Sequence, residues 1–241
     1  MPFEPRGLND ELIQDLKAFL QTQNFPDLYM AYFWKNDIYA NGFPDIYCLE
    51  SKLIMMDKTN GISLPDVKCV AKWGGLRNQG RINGESVVLQ PQTLHTAEGA
   101  PINLLGDEPL TPLLTLQNNI TKGIGPTYFT KILRFGLPQE YGAIDTRCVR
   151  VFGRGDIAAC RHHWLSLNAR NDGYGWFIPK KQVGWPNEYG KWINILRYFA
   201  CSLRNKCPHP AAFVAAGLRQ SGVWACADVE MALFSYASQF T

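Results

Sequence analysis

The sequence predicts an all-α fold, and two observations support that prediction. Apolar residues recur at helical spacing in most segments, and alternation of the strand type is scarce. The chain has 241 residues with 46% hydrophobic side chains, which is enough for a hydrophobic core and excludes general disorder. Because no repeat or low-complexity linker is visible, we treat residues 1–241 as a single unit.

The first predicted element is a helix over residues 10–22. Asn9 is a typical N-cap, Asp10 and Glu11 suit a first helical turn, and the apolar residues that follow recur at helical spacing. We expect this N-terminal helix to pack with the helices near the C-terminus.

Residues 25–108 are predicted to form one helical lobe. Aromatic side chains are frequent in residues 25–58, where Pro and Gly interrupt them, so two short helices joined by a turn are expected there. Residues 73–84 (WGGLRNQGRING) are polar and rich in Gly and Asn, which predicts a loop.

The rest of the chain is predicted to be helical apart from one long loop. Residues 109–120 are expected to form a helix that begins at a proline. Residues 165–192 are punctuated by Gly and Trp and are expected to be an irregular loop. We divide this half into residues 109–165 and residues 166–241, the second of which holds the loop and the C-terminal helices. Helical spacing continues in the segments TYFTKILRF, DTRCVRVF, NEYGKWINILRYFACSL, PAAFVAAGLRQ and DVEMALFSYASQF.

Charge is distributed unevenly along the chain. Residues 1–120 carry nine basic and fourteen acidic side chains, whereas residues 121–241 carry fifteen basic and seven acidic ones. The second half therefore holds a positive field, which favours an acidic or polyanionic partner. The seven cysteines are scattered and odd in number, which favours a reducing cytoplasmic location, and neither a signal peptide nor a membrane span is visible.

Residues 120–136 (ITKGIGPTYFTKILRFG) combine a tight turn rich in Gly and Pro with the start of an amphipathic helix. Gly123 and Gly125 permit backbone angles that other residues avoid, and Pro126 suits the first turn of the following helix. Amides at such a helix start bind phosphate groups, and Lys122 and Lys131 add positive charge nearby. The turn predicts contact with a nucleic-acid backbone, with an ordinary connection between two helices as the alternative.

A single acidic residue, Asp145, follows in the segment GLPQEYGAIDTRCVRVFG, shortly after the turn. It precedes a predicted helix that contains Arg147 and Arg150. An Asp in this position can act simply as an N-cap. A carboxylate beside a phosphate-binding turn also repels DNA, so its presence in this basic region makes Asp145 a candidate for chemistry.

Together these segments resemble the helix-hairpin-helix DNA glycosylases, which carry a Gly/Pro-rich hairpin followed by an essential Asp. The resemblance rests on GIGPTYFTKIL (residues 123–133) and AIDTRCVRVF (residues 143–152), with Asp145 lying 18 residues after Thr127, a spacing like that of the adenine-mismatch branch. It covers about 35 residues closely. It implies a helix-hairpin-helix motif at about residues 110–136 and two helical lobes with a DNA-binding cleft between them.

The resemblance also implies a reaction. A base is flipped out of duplex DNA and its N-glycosidic bond is hydrolysed, which leaves an abasic site. Cleavage of this bond builds positive charge on the sugar, which an ionised Asp145 would stabilise while positioning or deprotonating a water molecule. Members with lyase activity carry a Lys nucleophile where this chain has Thr127, so a monofunctional enzyme is predicted. Lys131 lies one helical turn further and is expected to contact a phosphate or to be solvated.

Further DNA contacts are expected from loop and helix side chains. The loop LRNQGRI (residues 76–82) is a candidate for wedging into the duplex, with an ordinary surface turn as the alternative. Arginines near the hairpin favour a phosphate track over a merely solvated face. Aromatic residues are assigned to the wall of a base pocket, with packing between helices as the alternative. The residues concerned are Arg77, Asn78, Gln79 and Arg81 for the wedge, Lys122, Gly123, Gly125, Thr127 and Lys131 for the hairpin, Arg147 and Arg150 for the track, and Trp164, Tyr174 and Trp176 for the pocket.

No cofactor or metal is predicted. Some members of the family hold an iron–sulfur cluster near the C-terminus with six, two and five residues between successive Cys ligands, whereas Cys201, Cys207 and Cys226 do not follow that spacing. The pair of histidines after Cys160 lacks a regular zinc-ligand pattern.

The predicted partner is double-stranded DNA with a modified or damaged base. The chain is expected to be a cytoplasmic monomer, associated with the nucleoid in a bacterium. The motif does not name the base, since relatives act on oxidised purines, alkylated bases, mismatched bases and bulky modified pyrimidines. Divergence of residues 25–105 from the housekeeping branches raises the hypothesis of a defensive enzyme that excises hypermodified bases, for instance glucosylated ones, from phage DNA. The alternative class is a non-catalytic helix-hairpin-helix DNA-binding protein, which would not need Asp145.

Overall fold

The computed structural model describes residues 7–54, 62–84, 94–95, 101–102, 110–120 and 122–241. Most of the regular structure in this part of the chain is helical, which confirms the coarse fold class. No helix in the described ranges is both long and apolar enough to cross a membrane. The α-helices are α1 (Asp10–Thr22), α2 (Phe25–Met30), α3 (Pro44–Ile54), α4 (Leu64–Trp73), α5 (Thr111–Asn119), α6 (Pro126–Gly136), α7 (Thr146–Phe152), α8 (Asn187–Ser202), α9 (Ala211–Ala215) and α10 (Cys226–Ala237).

Three short antiparallel strand pairs accompany the helices in the described residues. Each strand has only two residues, so no pair in the described part of the chain forms a layer of the fold. The fold is therefore largely helical, as the sequence predicts, with these small pairs added. The pairs are β1 (Phe33–Trp34) with β2 (Asp37–Ile38), β3 (Leu94–His95) with β4 (Pro101–Ile102), and β5 (Arg170–Asn171) with β6 (Trp176–Phe177).

Helix α1 has the bounds that the sequence predicts. The Asn9 side chain caps it by accepting a hydrogen bond from the amide of Leu12 at 2.9 Å. Leu12, Leu16 and Phe19 form its buried face. The Phe19 ring meets the ring of Trp164 edge-on at 5.1 Å, and α1 also contacts α8. The N-terminal helix is thus held by apolar contacts with the second half of the chain.

Between α2 and α3 the chain forms the β1–β2 pair in addition to the expected turn. Lys35, in this turn, adopts a φ of +56°. Asp37 is fully buried and accepts hydrogen bonds from the amides of Asp45 and Ile46, at the start of α3. The same carboxylate accepts a hydrogen bond from the indole of Trp73 at 2.7 Å. One buried acid therefore joins β2, α3 and α4.

The two predicted loops are present, and each contains a small element. Residues 73–84 include a single 3-10 turn at Gln79–Arg81. Residues 165–192 include the β5–β6 pair and end inside α8, which begins at Asn187. Each helix predicted after residue 109 is present, as α5 to α10.

Helices α6 and α10 organise the core. α6 packs against α3, α4 and α5, whereas α10 packs against α2, α7 and α8. Both helices are buried along almost their whole length. Residues 137–145 connect these two groups of helices, and Asp145 ends the connection.

A buried set of charged side chains joins α3, α6 and α10. Glu50 is fully buried and accepts hydrogen bonds from Arg134 and from Arg219, each at 2.6 Å. Arg219 also donates to Asp228 at 2.9 Å, and the ring of His209 contacts the same carboxylate at 3.0 Å. We call these five residues the buried ionic set. Each acid in it touches a cation, which is the condition under which charges are tolerated in a protein core.

Candidate active site

A cleft of about 690 Å³ lies where α6 and α7 begin. The turn before α6 and the first residues of that helix form one side, and β6 with the residues after it forms the other. Residues from β1 and from the loop after α4 complete the wall. The lining side chains include Trp34, Leu76, Thr127, Tyr128, Lys131, Asp145, Arg147, Arg150, Trp176, Phe177 and Lys180.

The turn before α6 is held by a glycine and by the loop that follows α4. Gly123 has a φ of +93°, and a Cβ atom there would lie 2.3 Å from the carbonyl oxygen of Arg81. The backbones of Asn83 and Lys122 exchange hydrogen bonds of 3.3 and 3.4 Å. Glycine is therefore required at position 123 by both conformation and space. A Cβ atom at Gly125 would meet nothing within 4 Å.

The N-terminus of α6 opens onto the cleft. The N-cap of this helix is Gly125, which has no side chain to cap the first turn. Pro126 has no N–H group and the Tyr128 amide donates to the Gly125 carbonyl at 3.1 Å, so the Thr127 amide is the one that the first turn leaves for a ligand. Thr127 lines the cleft, and Lys122 is exposed beside it. One uncapped helix amide and a nearby cation suit a phosphate oxygen.

Asp145 is the N-cap of α7, and its two carboxylate oxygens have different partners. Oδ1 accepts hydrogen bonds from the amide of Arg147 at 3.1 Å and from the hydroxyl of Thr146 at 3.3 Å. Oδ2 faces the ammonium group of Lys131 at 3.3 Å. The residue is 8% exposed, so the carboxylate lies at the bottom of the cleft and away from the protein surface.

Lys131 is buried, which corrects the expectation of a solvated side chain. Its ammonium group lies 5.0 Å from the ring centroid of Trp34 and 5.3 Å from that of Trp73. Gly74 leaves room for the side chain, since a Cβ atom there would lie 3.2 Å from Cδ of the lysine. Two indole rings and the Asp145 carboxylate thus surround this cation, and a phosphate contact would require it to leave them.

The charges around the cleft hold Asp145 ionised. Burial acts to raise its pKa, but the Lys131 charge and the Arg147 amide outweigh burial and lower the pKa below its ordinary value. Glu230 on α10 shares a small internal cavity with Asp145 and Lys131, but its pKa shifts in the opposite direction. Burial raises the pKa of Glu230 to about 7, and the charge of Arg134, 3.7 Å away, offsets only part of that effect.

Arg147 and Arg150 both line the cleft, and both have partners in the protein. The guanidinium carbon of Arg147 lies 5.0 Å from the ring centroid of Phe234. Arg150 forms an ion pair with Asp156 at 2.6 Å and stacks on the ring of Trp176 at 4.1 Å. These contacts fix the positions of two positive charges at the edge of the cleft.

The residues predicted to form a wedge lie beside the turn before α6. Arg77, Asn78 and Arg81 are exposed. Gln79 is half-buried, and its side-chain amide donates to the carbonyl of Leu76, so it folds back onto its own loop. Leu76 contributes to the cleft wall. Backbone hydrogen bonds between Asn83 and Lys122 join this loop to the turn before α6.

The three aromatic residues predicted for a base pocket occupy different environments. Trp164 is 1% exposed and stacks on Phe152 at 4.5 Å in the core, so its assignment to the pocket wall is wrong. Tyr174 is fully exposed in the turn between β5 and β6 and does not line the cleft. Trp176 does line the cleft, next to Phe177.

Three neighbours of Asp145 were not predicted from the sequence, namely Trp34, Trp73 and Glu230. They belong to β1, α4 and α10, which lie far from Asp145 in the sequence and reach it only through packing on α6 and α7. The frequency of aromatic residues near position 34 did not distinguish a cleft residue from a core residue. Glu230 gave one usable signal, because an acid within the apolar segment DVEMALFSYASQF requires a partner when that helix is buried.

One group of side chains in the described ranges has metal-ligand chemistry. It consists of Cys207, His209 and Asp228, whose ligand atoms lie within 4.8 Å of one another. Asp228 is already bound by Arg219, and burial raises the pKa of the Cys207 thiol well above its ordinary value. The contacts of the buried ionic set therefore account for His209 and Asp228, and the Cys207 thiol stays protonated beside them.

Comparison with family models, with curated proteins and with solved structures gives no match to this chain. The class of site is defined by its own geometry. An ionised, buried carboxylate lies beside an uncapped helix N-terminus, under a rim of basic and aromatic side chains. Such a site suits an anionic ligand on which a carboxylate acts.

Proposed function

We propose that this protein is a monofunctional DNA glycosylase, which flips a damaged or modified base out of duplex DNA and hydrolyses its N-glycosidic bond. The observation that carries the proposal is the ionised carboxylate of Asp145 at the bottom of a cleft with a basic rim. A carboxylate repels phosphates, so its presence in a phosphate-binding cleft needs a reason. A reaction that develops positive charge provides one, because the carboxylate stabilises that charge. Cleavage of a glycosidic bond develops that charge on the sugar.

The cleft offers what is needed before the chemical step. The Thr127 amide at the start of α6 and the exposed Lys122 would bind the phosphate backbone without reading its sequence. Arg147 and Arg150 would add attraction that weakens with salt. A volume of about 690 Å³ with an aromatic wall at Trp176 suits a flipped nucleotide, because ligand pockets are commonly ~300–1,000 Å³.

Asp145 would act once the base has left the stack. The Arg147 amide fixes the orientation of the carboxylate, and Lys131 keeps it ionised despite burial. The positive charge that develops on the sugar would become a further partner of the carboxylate, which stabilises the transition state more than the ground state. The same group would position or deprotonate the attacking water.

The same geometry favours hydrolysis over lyase chemistry. Thr127 lines the cleft and carries no amine. The amine of Lys131 is paired with Asp145 and enclosed by two indole rings. A Schiff base requires a free, unprotonated amine, so we expect no covalent complex with DNA to be trapped by borohydride.

The test compares the wild type with Asp145→Asn and with a matched control, Asp66→Asn. Asn is a good N-cap, so the first variant removes charge and keeps the cap. Asp66 belongs to the capping box of α4, where it accepts a hydrogen bond from the amide of the N-cap Ser63, and it pairs with Lys52 at 2.6 Å, but it lies outside the cleft. Each protein is incubated with duplexes that contain oxidised, alkylated or mismatched bases and with hypermodified phage DNA, and strand breaks are scored with and without alkali.

The wild type and Asp66→Asn should give breaks on one class of DNA, and only after alkali. Asp145→Asn should lose at least ~100-fold in rate, while binding duplex as tightly as the wild type or more tightly, since a negative charge is gone. Breaks confined to phage DNA would support the defence hypothesis, whereas breaks on oxidised bases alone would exclude it. Salt-dependent binding with no base release on any DNA would identify a non-catalytic DNA-binding protein.

A further inference from the structure

The turn between β5 and β6 carries aromatic groups that the folded protein does not bury. We call residues 170–177 the lip. Tyr174, at its tip, is 100% exposed, and Trp176 and Phe177, at its base, are 38% and 41% exposed. The two residues at the base line the cleft, whereas the tip does not. Three exposed aromatic side chains on one short segment form an apolar patch of the kind that marks an interaction site.

Side-chain caps hold the lip in one shape. The Asp172 carboxylate accepts hydrogen bonds from the amides of Tyr174 at 3.0 Å and Gly175 at 3.1 Å. The Asn171 side chain accepts one from the amide of Gly173 at 2.8 Å. The two glycines adopt φ values of +88° and +156°, which favour glycine. Tyr174 is therefore presented on a preformed turn, so its use in binding costs little backbone entropy.

The base of the lip is fastened to the helix that follows Asp145. Arg150, on α7, stacks on Trp176 with its guanidinium carbon 4.1 Å from the ring centroid. The same guanidinium is fixed by Asp156 at 2.6 Å. These contacts give the lip a set position relative to the Asp145 carboxylate, with Tyr174 in solvent beyond the wall that Trp176 forms.

The chain around the lip is basic. Three cations are exposed here: Arg170 is the first residue of the lip, and Lys180 and Lys181 follow shortly after its end. Asp172 is the only acid in the sequence between residues 157 and 187, and its carboxylate is occupied by the amides of the turn. An exposed ring between cations fits a polyanion that also offers flat stacking surfaces, and nucleic acid has both properties.

We propose that the lip is the element that invades the duplex, with the Tyr174 ring entering the base stack beside the flipped nucleotide and the flanking cations contacting phosphates. This inference rests on the proposed function. It places the wedge on the β5–β6 turn and not on residues 76–82, where Gln79 folds back onto its own loop. An inserted ring replaces stacking that the flipped base gives up, which lowers the cost of keeping that base out of the helix.

The test measures binding by proteins that carry Asp145→Asn, so that no base is released. The probe is a duplex with a tetrahydrofuran abasic-site analogue next to 2-aminopurine, whose fluorescence reports stacking, and the same duplex without the analogue is the reference. The variants are Tyr174→Ala and Tyr174→Phe. The matched control is Phe33→Ala, which removes a 62% exposed aromatic residue from the β1–β2 pair.

Tyr174→Ala should weaken binding to the probe about tenfold or more, which is the scale of one lost stacking contact. Its slope of log affinity against log salt should equal that of the parent, because no charge is removed. Tyr174→Phe and Phe33→Ala should bind the probe as tightly as the parent. Binding of either variant should change the 2-aminopurine fluorescence, whereas binding of Tyr174→Ala should not. Since Tyr174 is fully exposed, the melting temperature should not fall in any Tyr174 variant.

Equal binding of the probe by Tyr174→Ala and by the parent would overturn the inference. An equal loss in Tyr174→Ala and Tyr174→Phe would also overturn it, because the hydroxyl and not the ring would then make the contact. In both cases the proposed function stands if base release by the otherwise unaltered enzyme still depends on Asp145. A protein that binds neither duplex in a salt-dependent way refutes the proposed function itself.

Discussion

Replacing Lys131 by methionine should destabilise the protein strongly at neutral pH and much less in acid. Methionine keeps an unbranched apolar chain between Trp34 and Trp73, so the main change is the loss of charge. In the wild type the ammonium nitrogen lies 3.3 Å from Oδ2 of Asp145. In the variant that carboxylate stays buried, at 8% exposure, without its main cation.

The size of the effect follows from the distance and the burial of the pair. At 3.3 Å and an effective dielectric constant of about 20, Coulomb's law gives an attraction of about 5 kcal/mol. Desolvation of both charges offsets part of that in the wild type. Removal of one partner leaves the other charge buried and uncompensated, which typically costs about 3–5 kcal/mol.

The pair of Lys52 and Asp66 provides a control in which the acid is equally buried but the lysine is exposed. It is shorter, at 2.6 Å, and the lysine side chain is 51% exposed whereas that of Asp66 is 7% exposed. Water solvates this lysine, and the Asp66 carboxylate keeps hydrogen bonds from the amide and the hydroxyl of Ser63, so Lys52→Met should cost less than Lys131→Met, on the order of 1 kcal/mol. Because both acids are buried, the comparison reports the effect of burying the lysine and of the hydrogen bonds that the acid retains.

The pH dependence of Lys131→Met follows from the direction of the pKa shift. In the wild type the pKa of Asp145 lies below its unfolded value, so the stability it contributes is present above the unfolded pKa and is lost as the pH falls through the folded pKa. In the variant the effect of burial is opposed mainly by Arg147, and we expect the folded pKa to lie above the unfolded one. Folding then takes up a proton, so the variant gains stability as the pH falls.

Urea unfolding of the wild type and both lysine variants at about pH 7 and about pH 4 gives the free energies of unfolding that are needed. The deficit of Lys131→Met should be large at pH 7 and smaller at pH 4, while that of Lys52→Met stays small throughout. A deficit of Lys131→Met that is the same at both pH values, or no greater than that of the control, would refute the view that Lys131 holds Asp145 ionised.

Two further substitutions test the other buried acids. Burial raises the pKa of Glu230 from 4.5 to about 7, so its contribution to stability is fully present below the unfolded pKa and is lost as the pH rises through 7, a change of about 3 kcal/mol at ~1.4 kcal/mol per pKa unit. Glu230→Gln should remove this decline, and equal slopes for both proteins in urea unfolding between pH 5 and pH 8 would contradict it. Glu50→Gln should cost about 3–5 kcal/mol, because Arg134 and Arg219 lose their shared anion. Calorimetry should show a lowered melting temperature, and a loss no larger than that of Lys52→Met would count against this account.

The helices were predictable from the sequence because their signals are local. Asn9 and the apolar spacing after it define α1 without reference to the rest of the chain. The turn at Gly123 and the capping position of Asp145 are local features in the same sense. The strand pairs were not predicted, because two-residue strands are too short to show an alternating pattern.

The environments of the aromatic residues depend on distant partners and could not be predicted. Trp164 and Trp176 are the same residue type, twelve positions apart in one aromatic segment. Trp164 is buried because Phe19 of α1 and Phe152 of α7 pack against it. Trp176 remains half-exposed because its partner is the charged side chain of Arg150, which keeps it at the edge of the cleft.

The environment of Lys131 on the buried helix α6 connects the stability of the protein with the chemistry that we propose. α6 is enclosed on nearly all sides, so a charge on it must find a counter-charge on another element, and for Lys131 that counter-charge is Asp145. A buried pair of this kind is not needed for stability, since apolar residues of similar volume commonly replace such pairs at no cost. Its position under the basic and aromatic rim is better explained by the reaction we propose. An anion that stays ionised in a buried site needs a counter-charge, and Lys131 provides one at Oδ2 while the Arg147 amide holds Oδ1.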